Sequence, residues 1–303
     1  MSQKSPSVQA QRLGHATFET PDLERSLGYF VEVNGFVLAA RDASTAWLTS
    51  KLGQLSIVLV RSDRADCSAL SFEIAPDETP ADVVKSLAML GVTAEIRSDP
   101  FPGSKQAIVF RDPKGTRIEL FQDWAYVTPN QNVAGIGPLK MGHIAFFTPD
   151  VGGLVDFYQR VLGFRVSDWL GDFFVFMRCN PDHHTVNFFH GAKARLHHVA
   201  FEVKDFAHMN QACETLAAHR VPLGWGPMRH GPGHNLAIYH RDPDDHVIEH
   251  YCELDQMKNE ALGYFEPRPW HVDRPQRPKT WEPGKWTSGW GTPPAPQHMR
   301  KPD

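Results

Sequence analysis

Two segments of the chain place apolar residues at the spacing of an amphipathic helix. The apolar positions form one stripe in each segment: Leu23, Leu27, Phe30 and Val31 in the first, and Leu154, Phe157, Tyr158, Val161 and Leu162 in the second. Such a stripe packs on a sheet while the opposite face stays in water. Thr20 and Thr148, each followed by a proline, are predicted to cap these two helices.

Two further helices are predicted at 80–90 and 206–220, each after a run of alternating apolar residues at 69–74 and 198–203. Short alternating or apolar runs bounded by turn residues predict the remaining strands. These runs lie at 47–49, 56–60, 106–111 and 116–121 in the first half and at 173–178, 185–189, 236–241 and 246–251 in the second. The order within each unit is strand, helix and then about three strands.

The pattern is repeated. Leu13-Gly-His15-Ala-Thr-Phe is echoed by Met141-Gly-His143-Ile-Ala-Phe 128 residues later, and His198-Val-Ala-Phe201 repeats the second copy after a further 55 residues. A fixed offset of this kind indicates duplicated structural units. We therefore predict an α+β fold of four tandem βαβββ modules in two domains, 1–130 and 137–255, each a curved mixed sheet around a central cavity.

Residues 256–303 differ in composition, with nine prolines and four tryptophans. The prolines predict that no regular element persists there. Because disordered segments are poor in aromatic residues, we expect an extended strap whose indoles are buried at least as far as Trp290. It is predicted to be either a lid over a pocket or a subunit contact.

Charge and cysteine content narrow the class of protein. The net charge of −4 with mixed signs gives no basic stripe, which argues against nucleic acid and anionic membrane as partners. The four cysteines form no paired motif, and the first residues contain no apolar signal segment. We expect a cytoplasmic protein.

Candidate metal ligands converge in the second half. His143 and His198 begin repeat-related strands, and Glu249 lies in the last strand of the fourth module, inside an apolar run where an unpaired carboxylate would be costly. Two imidazoles and one carboxylate form the facial triad that suits iron or manganese and leaves positions open. In the first half, His15 and Glu119 remain, but Ala69 replaces the second imidazole and Val109 replaces Tyr239. We therefore expect one metal ion per chain.

The second half also resembles a known family. The resemblance rests on Gly142-His143, on Asn180-Pro-Asp-His183-His184-Thr185, on Leu196-His197-His198, and on Arg229-His230-Gly-Pro-Gly-His234-Asn-Leu-Ala-Ile-Tyr239 leading to Glu249. Residues 141–252 look like the catalytic domain of the type I extradiol (catechol 2,3-type) dioxygenases of the vicinal oxygen chelate superfamily. The duplicated modules extend the resemblance over the first half.

The resemblance implies a function and a set of roles. It implies that His143, His198 and Glu249 bind Fe(II), with Mn(II) as the alternative metal. It implies that His184 is the acid–base group, and that His230 and Tyr239 bond substrate oxygens. Phe176 and His234 are expected to bind substrate.

The implied reaction is extradiol cleavage of a catechol-type diol by O2 to a 2-hydroxymuconic-semialdehyde-type product, in the catabolism of aromatic compounds and in a homo-oligomer. A glyoxalase-like metal-dependent isomerase or lyase and a non-catalytic binding protein of the same fold are the alternatives.

Overall fold

The computed structural model describes residues 8–122, 129, 134–269, 271–284 and 288–296. No helix among them is long and apolar enough to span a membrane.

The first half forms one eight-stranded mixed sheet, and its two helices pack against this sheet. The strand order is β2-β3-β4-β1-β5-β8-β7-β6. The elements are β1 (Ala10–Thr20), α1 (Leu23–Gly28, continued by a π-helical turn Tyr29–Val33), β2 (Val37–Arg41), β3 (Thr45–Thr49), β4 (Leu55–Arg61), β5 (Asp66–Ile74), α2 (Pro80–Met89), β6 (Glu95–Phe101), β7 (Ser104–Arg111) and β8 (Arg117–Phe121).

The second half repeats this arrangement and enlarges it to ten strands by adding β19 (Lys279–Trp281) and β20 (Ser288–Gly291) from the C-terminal segment. The strand order is β19-β10-β11-β12-β9-β13-β16-β15-β14-β20. Its two modules contain β9 (Lys140–Thr148), α3 (Val151–Leu162), β10 (Arg165–Leu170), β11 (Phe174–Arg178), β12 (Val186–His190), β13 (Arg195–Glu202), α4 (Phe206–Ala218), β14 (Trp225–His230), β15 (Leu236–Arg241) and β16 (Val247–Cys252). The predicted α+β fold of four βαβββ modules is confirmed.

Four strands of the modules were not predicted from the sequence: β2, β6, β10 and β14. Each is the first strand after its module's helix, and β2 and β6 form the edges of their sheet. An edge strand needs no buried face along its whole length, so its sequence lacks a strong alternation. In β6, the first five residues are all exposed.

The predicted threonine caps were wrong by two residues. Asp22 and Asp150 are the N-caps, and their carboxylates accept from the backbone N–H of Arg25 at 3.1 Å and of Gly153 at 2.8 Å. The threonine hydroxyls instead accept from the backbone N–H of these aspartates, at 3.2 Å in both helices. The threonines therefore shape the turn that precedes each helix.

The C-terminal segment contains regular structure, contrary to the prediction. β17 (Met257–Asn259) pairs with β18 (Tyr264–Phe265), and β19 (Lys279–Trp281) and β20 (Ser288–Gly291) add to opposite edges of the ten-stranded sheet. The described prolines of this segment lie outside the short strands, where they remove no ladder hydrogen bond.

Burial of the indoles differs along this segment. Trp281 is 8% exposed, whereas Trp290 is 49% exposed, so the expected burial does not extend that far. The predictions for Trp270 and Trp286 lie outside the described residues.

The two halves share one hydrophobic core and several polar contacts. The Tyr29 hydroxyl lies 2.5 Å from Nε2 of His240, and the Asp244 carboxylate accepts from Arg25 at 2.7 Å and from Ser26 at 2.8 Å. Core residues from both halves form a single contiguous cluster. The domain boundaries at 130 and 137 stay a prediction.

A stacked pair of buried imidazoles makes this core sensitive to acid. The rings of His240 and His250 lie parallel with centroids 5.3 Å apart, and neither ring nitrogen of His250 has a hydrogen-bond partner among the described residues. Burial, with a smaller contribution from His208, lowers the pKa of His250 to about 3. Between that pKa and the unfolded value of about 6.5, the unfolded chain binds more protons, so stability falls as the pH falls.

We expect His250→Phe to weaken this acid sensitivity. Phenylalanine keeps the ring volume and cannot bind a proton, so the free energy of unfolding of the variant relative to wild type should rise by up to about 1.4 kcal/mol per pH unit lowered between about pH 6 and pH 4. Urea unfolding of both metal-free proteins across this range measures the difference. Parallel stability curves would contradict the assignment.

Candidate metal centre and cavity

The three predicted ligands lie on three adjacent strands at the centre of the ten-stranded sheet. His143 is on β9, His198 on β13 and Glu249 on β16. Ala200 pairs with His143 on one side and with Glu249 on the other, so these three residues form one row across the sheet. His198 is two residues before Ala200 and points to the same face. The small side chain of Ala200 leaves the space into which the ligands converge.

The structure brings the three side chains together. Nε2 of His143 lies 3.0 Å and Nε2 of His198 lies 3.2 Å from Oε2 of Glu249. One ligand atom from each residue lies within 4.8 Å of the others, and all three side chains are buried. The second carboxylate oxygen of Glu249 accepts from the amide of Asn235 at 2.9 Å. Asn235 therefore orients the carboxylate while Oε2 faces the imidazoles.

Burial and charge set the protonation states of this group. Burial alone would raise the pKa of Glu249, but the two imidazoles hold it well below its ordinary value. Burial lowers the pKa of His143 and outweighs the opposing effect of Glu249. An ionised carboxylate beside a neutral imidazole is the protonation state that metal ligation requires.

The donor set fits a divalent metal ion. Nε2 of His198 is buried with no hydrogen-bond partner among the described residues, although it faces Glu249. Its other nitrogen, Nδ1, lies 2.6 Å from Nδ1 of His197. A ligating histidine characteristically donates its second N–H to a neighbour, which fixes the tautomer that coordinates.

In the first half, the equivalent carboxylate, Glu119, forms an ion pair with Arg117. Nε2 of His15 lies 3.2 Å from Glu119, whose other oxygen accepts from Nε of Arg117 at 2.8 Å. Ala69 pairs with Thr17 as His198 pairs with Ala145, which confirms that Ala69 occupies the place of the second imidazole. With one imidazole missing and an arginine on the carboxylate, this row keeps only the framework of the site.

A cavity of about 560 Å³ opens over the three predicted ligands. One wall is aromatic and is formed by Phe147, Phe174, Phe176, Phe189 and His197. The opposite side carries polar groups from the β15–β16 region and Asp66 of the first half. An apolar pocket with a few convergent polar groups is the usual form of a small-molecule site.

His184 lines this cavity from the loop between β11 and β12. Its ring centroid lies 4.2 Å from that of His143 and 5.2 Å from that of Phe176, and its Nδ1 lies 3.0 Å from Nδ1 of His183. Burial first, and then the neighbouring His143 and His183, lower the pKa of His184 well below its ordinary value. His184 is therefore a neutral imidazole at neutral pH.

His230 and Tyr239 lie together at the other side of the predicted ligands. Nε2 of His230 is 2.6 Å from the Tyr239 hydroxyl and 3.9 Å from Oε1 of Glu249. The Tyr239 ring stacks on Trp225 with centroids 5.3 Å apart. Burial and Glu249 raise the pKa of Tyr239 well above its ordinary value, so its hydroxyl stays protonated.

The two predicted substrate contacts differ in position. Phe176 lines the cavity, whereas His234 does not, because its Nδ1 is held 2.7 Å from the buried Asp255 carboxylate. Asp255 also binds Nε2 of His271 at 2.9 Å, and Nδ1 of His271 accepts from the backbone N–H of Arg268 at 3.3 Å. His271 therefore carries its proton on Nε2 and acts as a donor rather than a metal ligand. The cluster anchors the C-terminal segment.

Three residues at or near the site were not found from the sequence. Asn235 stands inside the Arg229–Tyr239 string, where its contact with Glu249 had no separate signal. Asp168 and Trp281 contact each other across 113 positions, with Nε1 of Trp281 donating to Asp168 at 2.6 Å. An isolated aspartate in a strand and a tryptophan in a proline-rich segment give no local pattern that joins them.

Comparison with known proteins identifies relatives of this chain. Residues 140–250 match the family described as the Glyoxalase/Bleomycin resistance protein/Dioxygenase superfamily. The chain is similar to a metapyrocatechase of Pseudomonas sp. strain CF600 (23% identity, covering 80% of this chain and 86% of the relative) and to an iron-dependent extradiol dioxygenase of Rhodococcus jostii RHA1 (24% identity, covering 82% and 91%).

Two solved structures share the fold of this chain. A complex of homoprotocatechuate 2,3-dioxygenase from Brevibacterium fuscum with 3,4-dihydroxyphenylacetate has 27% identity and a TM-score of 0.80, covering 98% of this chain and 94% of that one. A Mn(II)-bound glyoxalase from Novosphingobium aromaticivorans has 25% identity and a TM-score of 0.83, covering 98% and 96%.

The fold and the site thus agree with the match of residues 140–250 to this superfamily and with the similarity of the chain to extradiol dioxygenases. The chain is an enzyme of the extradiol ring-cleaving dioxygenase type.

We expect His198→Ala to abolish metal retention and His15→Ala to leave it unchanged. The first change removes one of three donors, whereas the second alters a row that already lacks an imidazole. Metal content per chain after anaerobic loading with Fe(II) and desalting measures both, with thermal unfolding as the control for folding. Equal loss of metal from the two folded variants would refute the assignment of one site to the second half.

Proposed function

We propose that this protein opens the ring of a catechol-type vicinal diol beside the diol, using O2 at a mononuclear Fe(II) centre, to give a 2-hydroxymuconic-semialdehyde-type product. The observation that carries the proposal is that His143, His198 and Glu249 converge beneath one cavity that His184, His230 and Tyr239 also line. Aromatic compound catabolism is the setting in which such a reaction is used.

Fe(II) held by two imidazoles and one carboxylate would have open positions for both diol oxygens and for O2, and would supply the electron coupling between them. We propose iron over manganese because nitrogen and carboxylate donors in this number are the donor set of non-haem Fe(II) oxygenases. The similarity to an iron-dependent extradiol dioxygenase supports this choice.

The aromatic wall positions the substrate ring. The side chains of Phe174, Phe176 and Phe189 lie with ring centroids 4.4 Å and 5.0 Å apart and form a continuous apolar surface beside the predicted ligands. A catechol ring packed against this surface displaces water from the reacting carbon atoms. Exclusion of water also strengthens each polar contact on the opposite side.

Tyr239 and His230 bind the substrate oxygens. The Tyr239 hydroxyl stays protonated and donates a hydrogen bond to an oxygen that gains negative charge as the ring opens. His230 lines the same cavity beside that hydroxyl, so it contacts a substrate oxygen and also orients Tyr239.

His184 holds and moves a proton on the cavity side. Because it is a neutral imidazole, it can accept a proton from the substrate and return it at a later stage. Its contact with His183 occupies Nδ1, so Nε2 is the nitrogen available for this exchange.

Oxygen uptake tests the proposed reaction. Protein loaded anaerobically with Fe(II) should consume O2 and form a yellow ring-fission product with at least one member of a panel of substituted catechols. Mn(II)-loaded protein assayed in parallel tests the choice of metal. No oxygen uptake, together with isomerisation of a hemithioacetal without O2, would instead establish the glyoxalase-like activity.

Two substitutions separate the roles of the polar residues. His184→Gln should lower kcat by roughly 10²-fold or more, because it removes the proton-exchanging group. Tyr239→Phe should lower kcat about 10-fold, the equivalent of one hydrogen bond to a developing charge. Both variants should retain metal, and loss of metal from either would place that residue among the ligands.

A further inference from the structure

A chain of buried hydrogen bonds runs from the C-terminal segment to His184. The backbone N–H of Lys279 and Nε1 of Trp281 donate to the two carboxylate oxygens of Asp168, at 2.8 Å and 2.6 Å. Oδ2 of Asp168 also lies 3.1 Å from Nε2 of His183, and Nδ1 of His183 lies 3.0 Å from Nδ1 of His184. Asp168, His183 and Trp281 are all buried. Solvent water therefore does not compete for these hydrogen bonds.

In this series of hydrogen bonds, each donor fixes the acceptor that follows it. An ionised carboxylate only accepts, so Nε2 of His183 carries the proton that faces Asp168. With that proton on Nε2, Nδ1 of His183 acts as the acceptor toward His184. The proton between the two imidazoles must accordingly belong to Nδ1 of His184, which leaves its Nε2 without a proton.

The backbone fixes the geometry of the same chain. β19 runs parallel to β10, with Asp168 paired with Lys279 and Leu170 paired with Trp281. The backbone N–H of His183 donates to the carbonyl oxygen of Asp255 at 2.8 Å, and Asp255 is itself bound by His271 of the C-terminal segment. The side chain of His183 therefore binds Asp168 and its backbone binds Asp255, and the C-terminal segment contacts both of these aspartates.

We propose that Asp168 and His183 are positioning residues that fix His184 as its Nδ1–H tautomer, and that β19 of the C-terminal segment completes this device by binding the Asp168 carboxylate. The inference rests on the role of His184 in the proposed function. It connects the C-terminal segment to His184 through Asp168, which Lys279 and Trp281 hold from outside the cavity lining. In the chosen tautomer, Nε2 is ready to accept a proton before substrate binds.

Asp168→Asn combined with Trp281→Phe tests the proposal because an amide can donate where the carboxylate only accepts. The amide oxygen remains on the backbone N–H of Lys279, and removal of the indole N–H allows the amide N–H to face Nε2 of His183. This amide N–H would move the proton of His183 to Nδ1 and so reverse the bond to His184. We expect His184 to become the Nε2–H tautomer, and kcat for catechol cleavage to fall at least about 10-fold with KM little changed.

The tautomer is read directly from ¹⁵N chemical shifts of the full-length, histidine-labelled chain without added metal, at a pH above 7. His184→Gln identifies the resonances of His184 by their loss. Wild type should show a protonated Nδ1 and an unprotonated Nε2 at His184, and the double variant Asp168→Asn/Trp281→Phe should show the reverse.

Two matched variants separate this role from simple packing. Asp273→Asn makes the same chemical change in the C-terminal segment at an exposed aspartate paired with Lys279, and should change neither tautomer nor kcat. Trp281→Phe alone keeps the carboxylate and its bond to His183, so the tautomer should persist. A wild-type His184 protonated on Nε2, or a folded Asp168→Asn/Trp281→Phe protein with unchanged tautomer and kcat, would overturn the proposal.

Failure of the proposed function would give a different result. If wild type consumed no O2 with any catechol while the ¹⁵N shifts still showed the expected tautomer, the positioning role of Asp168 and His183 would be supported. The proposed ring-cleavage reaction would be refuted.

Discussion

The second half is organised around a carboxylate buried between two imidazoles at the middle of a sheet. Removing Glu249 from water is tolerable only because His143 and His198 face one oxygen and Asn235 donates to the other. This requirement accounts for the position of the group on three adjacent central strands, where side chains on one face are closest. It also accounts for Ala200, since a larger residue in the centre of the row would keep the ligands apart.

The first half shows the same framework after one donor has been lost. His15 and Glu119 still face each other across the equivalent row, but Ala69 leaves the place of the second imidazole empty and Arg117 binds the carboxylate. An ion pair with an arginine satisfies the buried charge that a metal would otherwise satisfy. The row therefore remains compatible with folding without the geometry of a metal site.

Repetition made most of the fold and the central group predictable. The offsets between His15, His143 and His198 locate equivalent strands, and the helical stripes locate the helices that pack on them. The N-caps were misplaced because Thr-Pro-Asp contains two capping residues in three positions, and hydrogen-bond geometry alone distinguishes them.

The features that could not be predicted from the sequence depend on pairings between distant segments. β19 and β20 form only because the edges of the ten-stranded sheet offer unpaired backbone groups, which no local pattern in the proline-rich segment indicates. His234 was expected in the cavity because of its place in the family motif, but Asp255, 21 residues further on, holds it elsewhere. The hydrogen-bond partners of Asp168 could not be predicted from the sequence for the same reason.

The wall of the cavity draws residues from both halves, with Ala65 and Asp66 facing groups such as His246. A duplicated unit that no longer needs to coordinate an ion is free to vary at these positions without disturbing the reacting atoms. The degenerate copy thus provides a region in which substrate preference can evolve separately from catalysis, and homologous enzymes would be expected to differ there in which ring substituents they accept.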